Sequence, residues 1–240
     1  MALSNTKTEL IDIAERCSIL KFGSFTLKSK RTSPYFLNCG LFLQDGLALT
    51  RLSQAYAAEI HTYAQHDPDF GFDVLFGPAY KGIPFAATTT VCLAQLDESK
   101  WGHAVGVSFN RKEVKDHGEG GLLVGAGLKG KRVVIIDDVI TAGTAIREAI
   151  EMIDAQGGKL VGILIAINRQ EKVTGESEKE GKGDDGQPRP SAIGEVRREY
   201  GVPVLSVLTL EDLIAAMKLK GRGAEVEQME EYRSKYGATD

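Results

Sequence analysis

Apolar residues recur along this chain in two different periods. Val133–Ile136 is an unbroken β-branched run, the pattern of a central parallel strand buried on both faces. Just downstream, Ala145, Ile146, Ala149, Ile150 and Ile153 fall at intervals of three and four. That spacing predicts a helix with one buried face, which Gly157 is placed to terminate. Near the start, Leu10, Ile11, Ala14, Cys17 and Ile19 predict an amphipathic helix beginning at about Ser4 or Asn5. Phe22–Leu27 and Tyr35–Leu41 read as short strands around a basic turn, Lys28-Ser29-Lys30-Arg31. Leu52, Ala55, Tyr56, Ile60 and Tyr63 have helical spacing, and Val74–Phe76 is a short buried strand followed by the turn Gly77-Pro78-Ala79. Pro84 then opens another helix, where its missing N–H does no harm. Ala104–Phe109, Leu160–Ile167 and Val202–Leu208 read as further strands. Ser191–Tyr200, Leu210–Leu219 and the charged Ala224–Tyr236 read as helices. Strands alternating with helices predict an α/β fold around a mostly parallel sheet.

One stretch breaks the alternation. From Glu171 to Pro190 the only large apolar residue is Val173, among Glu, Lys, Gly, Asp, Ser and Pro. Such a composition buries too little surface to offset ordering, so residues 171–190 are expected to be a mobile, disordered insertion. Elsewhere, 42% hydrophobic residues in 240 suit one large α/β domain, residues 1–240, with a substantial core. A net charge of -4 gives no general affinity for nucleic acid or acidic membranes. Three scattered cysteines, Cys17, Cys39 and Cys92, suggest neither a disulfide framework nor a zinc site, and point to a reducing, cytoplasmic setting. The first residues lack an apolar signal core, and the longest apolar run, Leu160–Ile167, is far too short to cross a bilayer.

The chemistry centres on the residues just after Ile136. Asp137 and Asp138 stand at the strand's carboxyl end, and Thr141, Ala142, Gly143 and Thr144 form a turn of small residues before the helix. Backbone N–H groups, two hydroxyls and the positive helix end can surround a phosphate there. Two carboxylates would repel that phosphate, so they suit ribose hydroxyls or a divalent cation instead. A 5-phosphoribosyl group offers both halves. The turn after Val74–Phe76 carries Tyr80 and Lys81, again a strand-turn-helix with a cation. After Phe109 come Arg111, Lys112, Lys115 and His117 within seven residues, then three glycines through Gly121. Gly125-Ala126-Gly127-Leu128-Lys129-Gly130 formally matches a dinucleotide fingerprint, but it precedes a strand instead of opening a helix, and reads as a turn.

Asp137-Asp138-Val139-Ile140-Thr141-Ala142-Gly143-Thr144-Ala145 resembles the 5-phosphoribosyl-1-diphosphate (PRPP) motif of the type I phosphoribosyltransferases. Leu20–Phe36, Phe76–Pro84 and Asn110–Gly121 extend the resemblance to the orotate phosphoribosyltransferases, over about Leu20–Leu213. The resemblance implies a type I phosphoribosyltransferase fold with a small N-terminal hood, residues 1–45, and a mobile catalytic loop, residues 111–121. It implies transfer of the phosphoribosyl group from PRPP to orotate in pyrimidine biosynthesis, with Mg2+ held mainly by PRPP and reached by Asp137 or Asp138 through water. Arg111, Lys112, Lys115 and His117 match the loop residues that face the departing diphosphate, and Tyr80 and Lys81 lie on the diphosphate-binding loop. Lys28 matches the lysine that reaches the ligand from the hood. Phe36 and Leu37 match the pair beneath the base, with Leu37 standing where an aromatic is usual, and Thr141 also belongs to the base site. Arg169, just past the strand Leu160–Ile167, matches the arginine that grips the orotate carboxylate. The segment 171–190 is longer than in typical bacterial members. A homodimer with shared active sites is also implied. Competing readings are a purine phosphoribosyltransferase, which has no need for Lys28 and Arg169 to converge, and a PRPP-sensing regulator, which has no need of the cationic loop.

Overall fold

The computed structural model describes residues 3–115 and 121–240. A six-stranded sheet has the order β5-β4-β3-β6-β7-β8, and only the edge strand β5 is antiparallel. The strands are β3 (Val74–Gly77), β4 (Gly106–Lys115), β5 (Gly121–Gly125), β6 (Arg132–Asp137), β7 (Lys159–Asn168) and β8 (Val204–Thr209). A separate antiparallel pair, β1 (Leu20–Thr26) and β2 (Thr32–Leu37), forms the hood.

The alternation within β6 divides the core in two. Val134 and Ile136 join a cluster with Tyr56 and Phe85, from helices α2 (Gly46–His66) and α3 (Gly82–Leu96). Val133 and Ile135 point the other way, to Ile146 and Ile150 of α4 (Thr144–Ala155) and Val196 of α6 (Ala192–Tyr200). All four β6 side chains are at most 2% exposed, so each contributes about 1.5–3 kcal/mol by burial and none is free to become polar. The helix α4 ends as its sequence predicts: Gly157 takes a left-handed φ of 72°, and the Gly158 N–H donates to the Ile153 carbonyl at 3.0 Å. Helices α1 (Asn5–Arg16), α7 (Leu210–Leu219) and α8 (Gly223–Tyr236) also fall at the expected spans, with the Ser4 hydroxyl capping α1.

Three regions depart from expectation. The strand expected at Tyr35–Leu41 starts earlier, at Thr32, and ends at Leu37. There the Asn38 N–H bonds the Ile19 carbonyl, and a 3-10 turn over Cys39–Gln44 carries Cys39 and Phe42 into the core. The strand expected to stop at Phe109 runs on to Lys115, because Asn110 and Lys115 find partners in Leu123 and Gly121 of β5. The cationic stretch therefore begins as strand, while residues 116–120, including His117, lie outside the described residues.

The third departure is the segment 171–190, which packs instead of standing free. It holds a short helix, α5 (Glu176–Lys179), and isolated bridges pair Lys172 with Ser191 and Glu171 with Gly237. Some of its charges are buried against other charges: Lys172 lies 3.0 Å from Asp184, with both side chains at most 5% exposed, while Glu176, Lys179, Glu180 and Lys182 stay at the surface. Low apolar content misleads here because paired ions and backbone bonds, not apolar area, fill the space.

Candidate active site

Strands β3, β6 and β7 all deliver their carboxyl ends to one edge of the sheet, where a cavity of about 890 Å³ opens beneath the hood. At the end of β6, the Asp137 carboxylate accepts from the Asp138 N–H at 2.9 Å, and the Tyr56 hydroxyl donates to the Asp137 carbonyl at 2.8 Å. Asp138 is 8% exposed, accepts from the Val139 N–H at 2.9 Å and is salt-bridged to Lys81. Burial, with the neighbouring Asp138 charge, pushes the Asp137 carboxyl up to about 7. Burial alone would lower Lys81, but the Asp138 hydrogen bond and charge outweigh it, and its ammonium is held above the ordinary lysine value.

Beyond the pair, the chain turns through exposed Thr141 and Ala142 to Gly143, whose φ of 76° marks the N-terminus of α4. No side chain caps that helix, so its first N–H groups face the turn. An anion seated there gains both the donors and the helix dipole. The neighbouring turn after β3 is tighter. A Cβ on Gly77 would sit 2.1 Å from the Gly82 carbonyl oxygen, so only glycine lets strand end and helix start approach this closely. Lys81 occupies the N-cap of α3, and the Ala79 N–H donates to the Asn110 side chain at 2.9 Å.

The hood supplies the opposite wall. Lys28, Phe36 and Leu37 line the cavity, with Phe36 39% exposed toward it and its ring 5.5 Å from that of Phe25. Arg169 enters from the end of β7. Its Nε donates to Glu171 at 2.8 Å, while Nη2 approaches the same carboxylate oxygen at 2.6 Å without hydrogen-bond alignment. The guanidinium also lies 5.0 Å from the Tyr35 ring centre. Burial would favour its neutral form, but Tyr35 and Glu171 hold it more firmly protonated than usual.

The cavity thus gathers Lys28, Phe36, Leu37, Lys81, Asp138, Val139, Ile140, Thr141, Ala142 and Arg169. Asp137, Gly143, Thr144 and Ala145 adjoin it in the chain without lining it, and Tyr80 stands 71% exposed on its own turn. Arg111 and Lys112 are outside it, on the far part of β4, where Arg111 Nη1 donates to the Gly121 carbonyl at 3.1 Å. Lys115 closes that strand, and His117 is beyond the described residues. Sequence reasoning passes over Glu171, the acid that holds Arg169. Its spacing of two from Arg169 is plain in the chain, but nothing local indicates that both turn inward.

Residues 43–189 match the phosphoribosyl transferase domain model. The chain is 52% identical over 242 residues to the orotate phosphoribosyltransferase of Neurospora crassa, covering 100% of this chain and 99% of that one. It is 51% identical to the enzyme of that name from Pseudomonas aeruginosa, covering 95% and 97%. A solved orotate phosphoribosyltransferase from Francisella tularensis superposes with a TM-score of 0.76 at 36% identity, covering 96% of this chain and all of that one. The acidic pair, the uncapped helix start and the hood lysine therefore stand in a familiar frame: this chain belongs to the orotate phosphoribosyltransferases.

Proposed function

We propose that the chain transfers the 5-phosphoribosyl group of PRPP to orotate, forming orotidine 5′-monophosphate and diphosphate in pyrimidine biosynthesis. The observation that carries the reading is that one cavity is lined both by the Asp138–Thr141 turn and by Lys28, Phe36 and Arg169. The turn suits a phosphorylated sugar, and the other three suit a flat, anionic base.

In this reading the N–H groups and hydroxyls of Thr141–Thr144 hold the 5-phosphate, with Val139, Ile140 and Ala145 completing the loop. Asp137 and Asp138 accept from the ribose hydroxyls and offset positive charge that develops on the sugar as the C1–oxygen bond breaks. The base lies on Phe36 and Leu37 beside Thr141, Arg169 faces its carboxylate, and Lys28 closes over the ligand from the hood. Tyr80 and Lys81 hold the diphosphate, and Arg111, Lys112, Lys115 and His117 arrive with the loop to balance its charge and exclude water. No covalent nucleophile is needed.

The residues present fit a divalent cation, since two adjacent carboxylates, one with a raised pKa, gain from added positive charge. Mg2+ supplies, when bound, positive charge to the diphosphate oxygens. Asp137 or Asp138 would reach it through water.

A homodimer in which the 111–121 loop serves the partner's site is part of the proposal. Mixing inactive Lys115→Ala and Asp137→Ala subunits should restore up to about half the wild-type activity per mixed dimer, because one site then carries neither defect. Confirmed subunit exchange without recovery would end the shared-site model. The cytoplasm is the proposed compartment, supported by the free thiols of all three cysteines. No helix among the described residues is long and apolar enough to cross a membrane. The deciding assay measures diphosphate release from PRPP: it should require orotate and Mg2+, and hypoxanthine should not replace orotate. Release with hypoxanthine but not orotate would overturn the assignment.

A further inference from the structure

The turn that carries Lys28 is closed on itself. The Leu27 N–H donates to the Arg31 carbonyl at 2.9 Å, and the Lys30 N–H donates to the Leu27 carbonyl at 3.0 Å. Residues 27–31 therefore move as one unit at the tip of a two-stranded ribbon that shares no ladder with the main sheet. An isolated ribbon of this kind has little rigidity of its own. Its tip must be fixed by something else.

Arg31 provides the fixing point, and the segment 171–190 provides its partner. Arg31 is 4% exposed, and its Nε and Nη2 donate to the two oxygens of Glu178 at 2.7 and 2.8 Å. Its Nη1 donates to the Lys172 carbonyl at 2.8 Å, and its guanidinium carbon lies 4.7 Å from the Tyr236 ring centre. Glu178, 3% exposed, is in turn fixed by the Gly175 N–H at 3.0 Å. A planar fork matched to a carboxylate fixes orientation as well as distance. A buried pair of this kind is a poor source of net stability, so its value is more geometric than energetic. Lys28 and Glu178 line the same cavity.

We propose that Arg31 and Glu178 are positioning residues that hold Lys28 over the base side of the cavity, making the segment 171–190 a determinant of orotate recognition. The inference rests on the functional reading above, in which Lys28 meets the ligand. In this role Arg31 and Glu178, which also line the cavity, act through Lys28 and not on the ligand. They set the angle at which the hood tip is presented, and the insertion is the fixed body against which that angle is defined.

The test is a double-mutant cycle in the full chain, with kcat and the KM values for orotate and PRPP measured separately. Glu178→Gln should lower kcat/KM for orotate by roughly 10- to 100-fold, mostly through KM, since a misplacement of about 1 Å can cost up to about 10²-fold. In the Lys28→Ala background the same substitution should change kcat/KM by less than about 2-fold, since the group it positions is gone. Arg31→Lys keeps the charge but loses the fork, and should repeat this signature if Glu178→Gln folds poorly. An equal loss in both backgrounds, or no loss in either, overturns the proposal while leaving the functional reading intact. Lys28→Ala with unaltered kinetics would instead overturn the placement of Lys28 at the ligand, and the positioning role with it.

Discussion

Strands β3 and β6 are parallel neighbours, and each ends in a turn that opens a helix, yet the two turns are built on opposite plans. The turn after β3 is closed by backbone against backbone at Gly77 and Gly82, and it presents a cation, Lys81, at the helix start. The turn after β6 is wider, carries two carboxylates and ends in a left-handed glycine before an uncapped helix. One loop offers a cationic side chain, the other the backbone N–H groups of an uncapped helix start beside two carboxylates. The Lys81–Asp138 salt bridge joins them, so each carries the counter-charge of the other. A substrate with phosphate at one end and diphosphate at the other can be met by two anion sites without crowding all the cations into one place.

The strongest way to break this pairing is to remove the carboxylate that links the turns. Asp138→Ala leaves Lys81 without its partner and the Val139 N–H without its acceptor. We expect kcat/KM in steady-state diphosphate release to fall by about 10³, equivalent to roughly 4 kcal/mol. A loss below about 10-fold would show that the bridge is incidental.

The two glycines sharpen the contrast. Gly77→Ala drives a methyl into the Gly82 carbonyl, where backbone must shift, and should cost roughly 3 kcal/mol of stability. Gly143→Ala meets mainly the movable end of Arg147, so its cost is set by the positive φ and should be about 1–2 kcal/mol. Chemical denaturation of both variants orders them; the reverse order would mean that the β6 turn, not the β3 turn, is the sterically closed one.

The smallest effect is on pH dependence. The Asp137 carboxyl titrates higher in the folded chain than in the unfolded one, so the folded state binds the extra proton between about pH 4 and 7. The stability it contributes is present below that window and is lost as pH rises through it. Asp137→Asn should therefore flatten the fall in ligand-free stability across this range by roughly 1–2 kcal/mol, since the half-buried carboxylate is partly screened by solvent. Melting curves at pH 5 and pH 8 check it, and an unchanged slope would remove Asp137 as the source.

Much of this site is legible in the sequence because its parts are contiguous. Strand, acidic pair, turn and helix follow one another from Val133 to Ile153, and each is signalled by its own local pattern. The Arg31–Glu178 pair joins residues 147 apart in the chain, and nothing about either one locally distinguishes a buried ion from a solvated one. Composition misjudges the segment 171–190 for the same reason, since it counts apolar area while the segment buries charge against charge. The extension of β4 is hidden differently. Asn110–Lys115 is too polar to look like strand, and it becomes one because an edge partner, β5, accepts it.

The carbonyl of Asp138 accepts from two amides, Ala166 at 2.9 Å and Ile167 at 3.1 Å, both near the end of β7. Arg169 lies two residues further on. The turn after β6 and the strand that delivers Arg169 are thus joined at one peptide, so a rotation of that peptide reaches both walls of the cavity. Those two amide protons should act as a built-in strain gauge for the proposed site: their exchange with solvent deuterium is expected to slow when PRPP is added, and unchanged exchange would show that the turn is not stiffened.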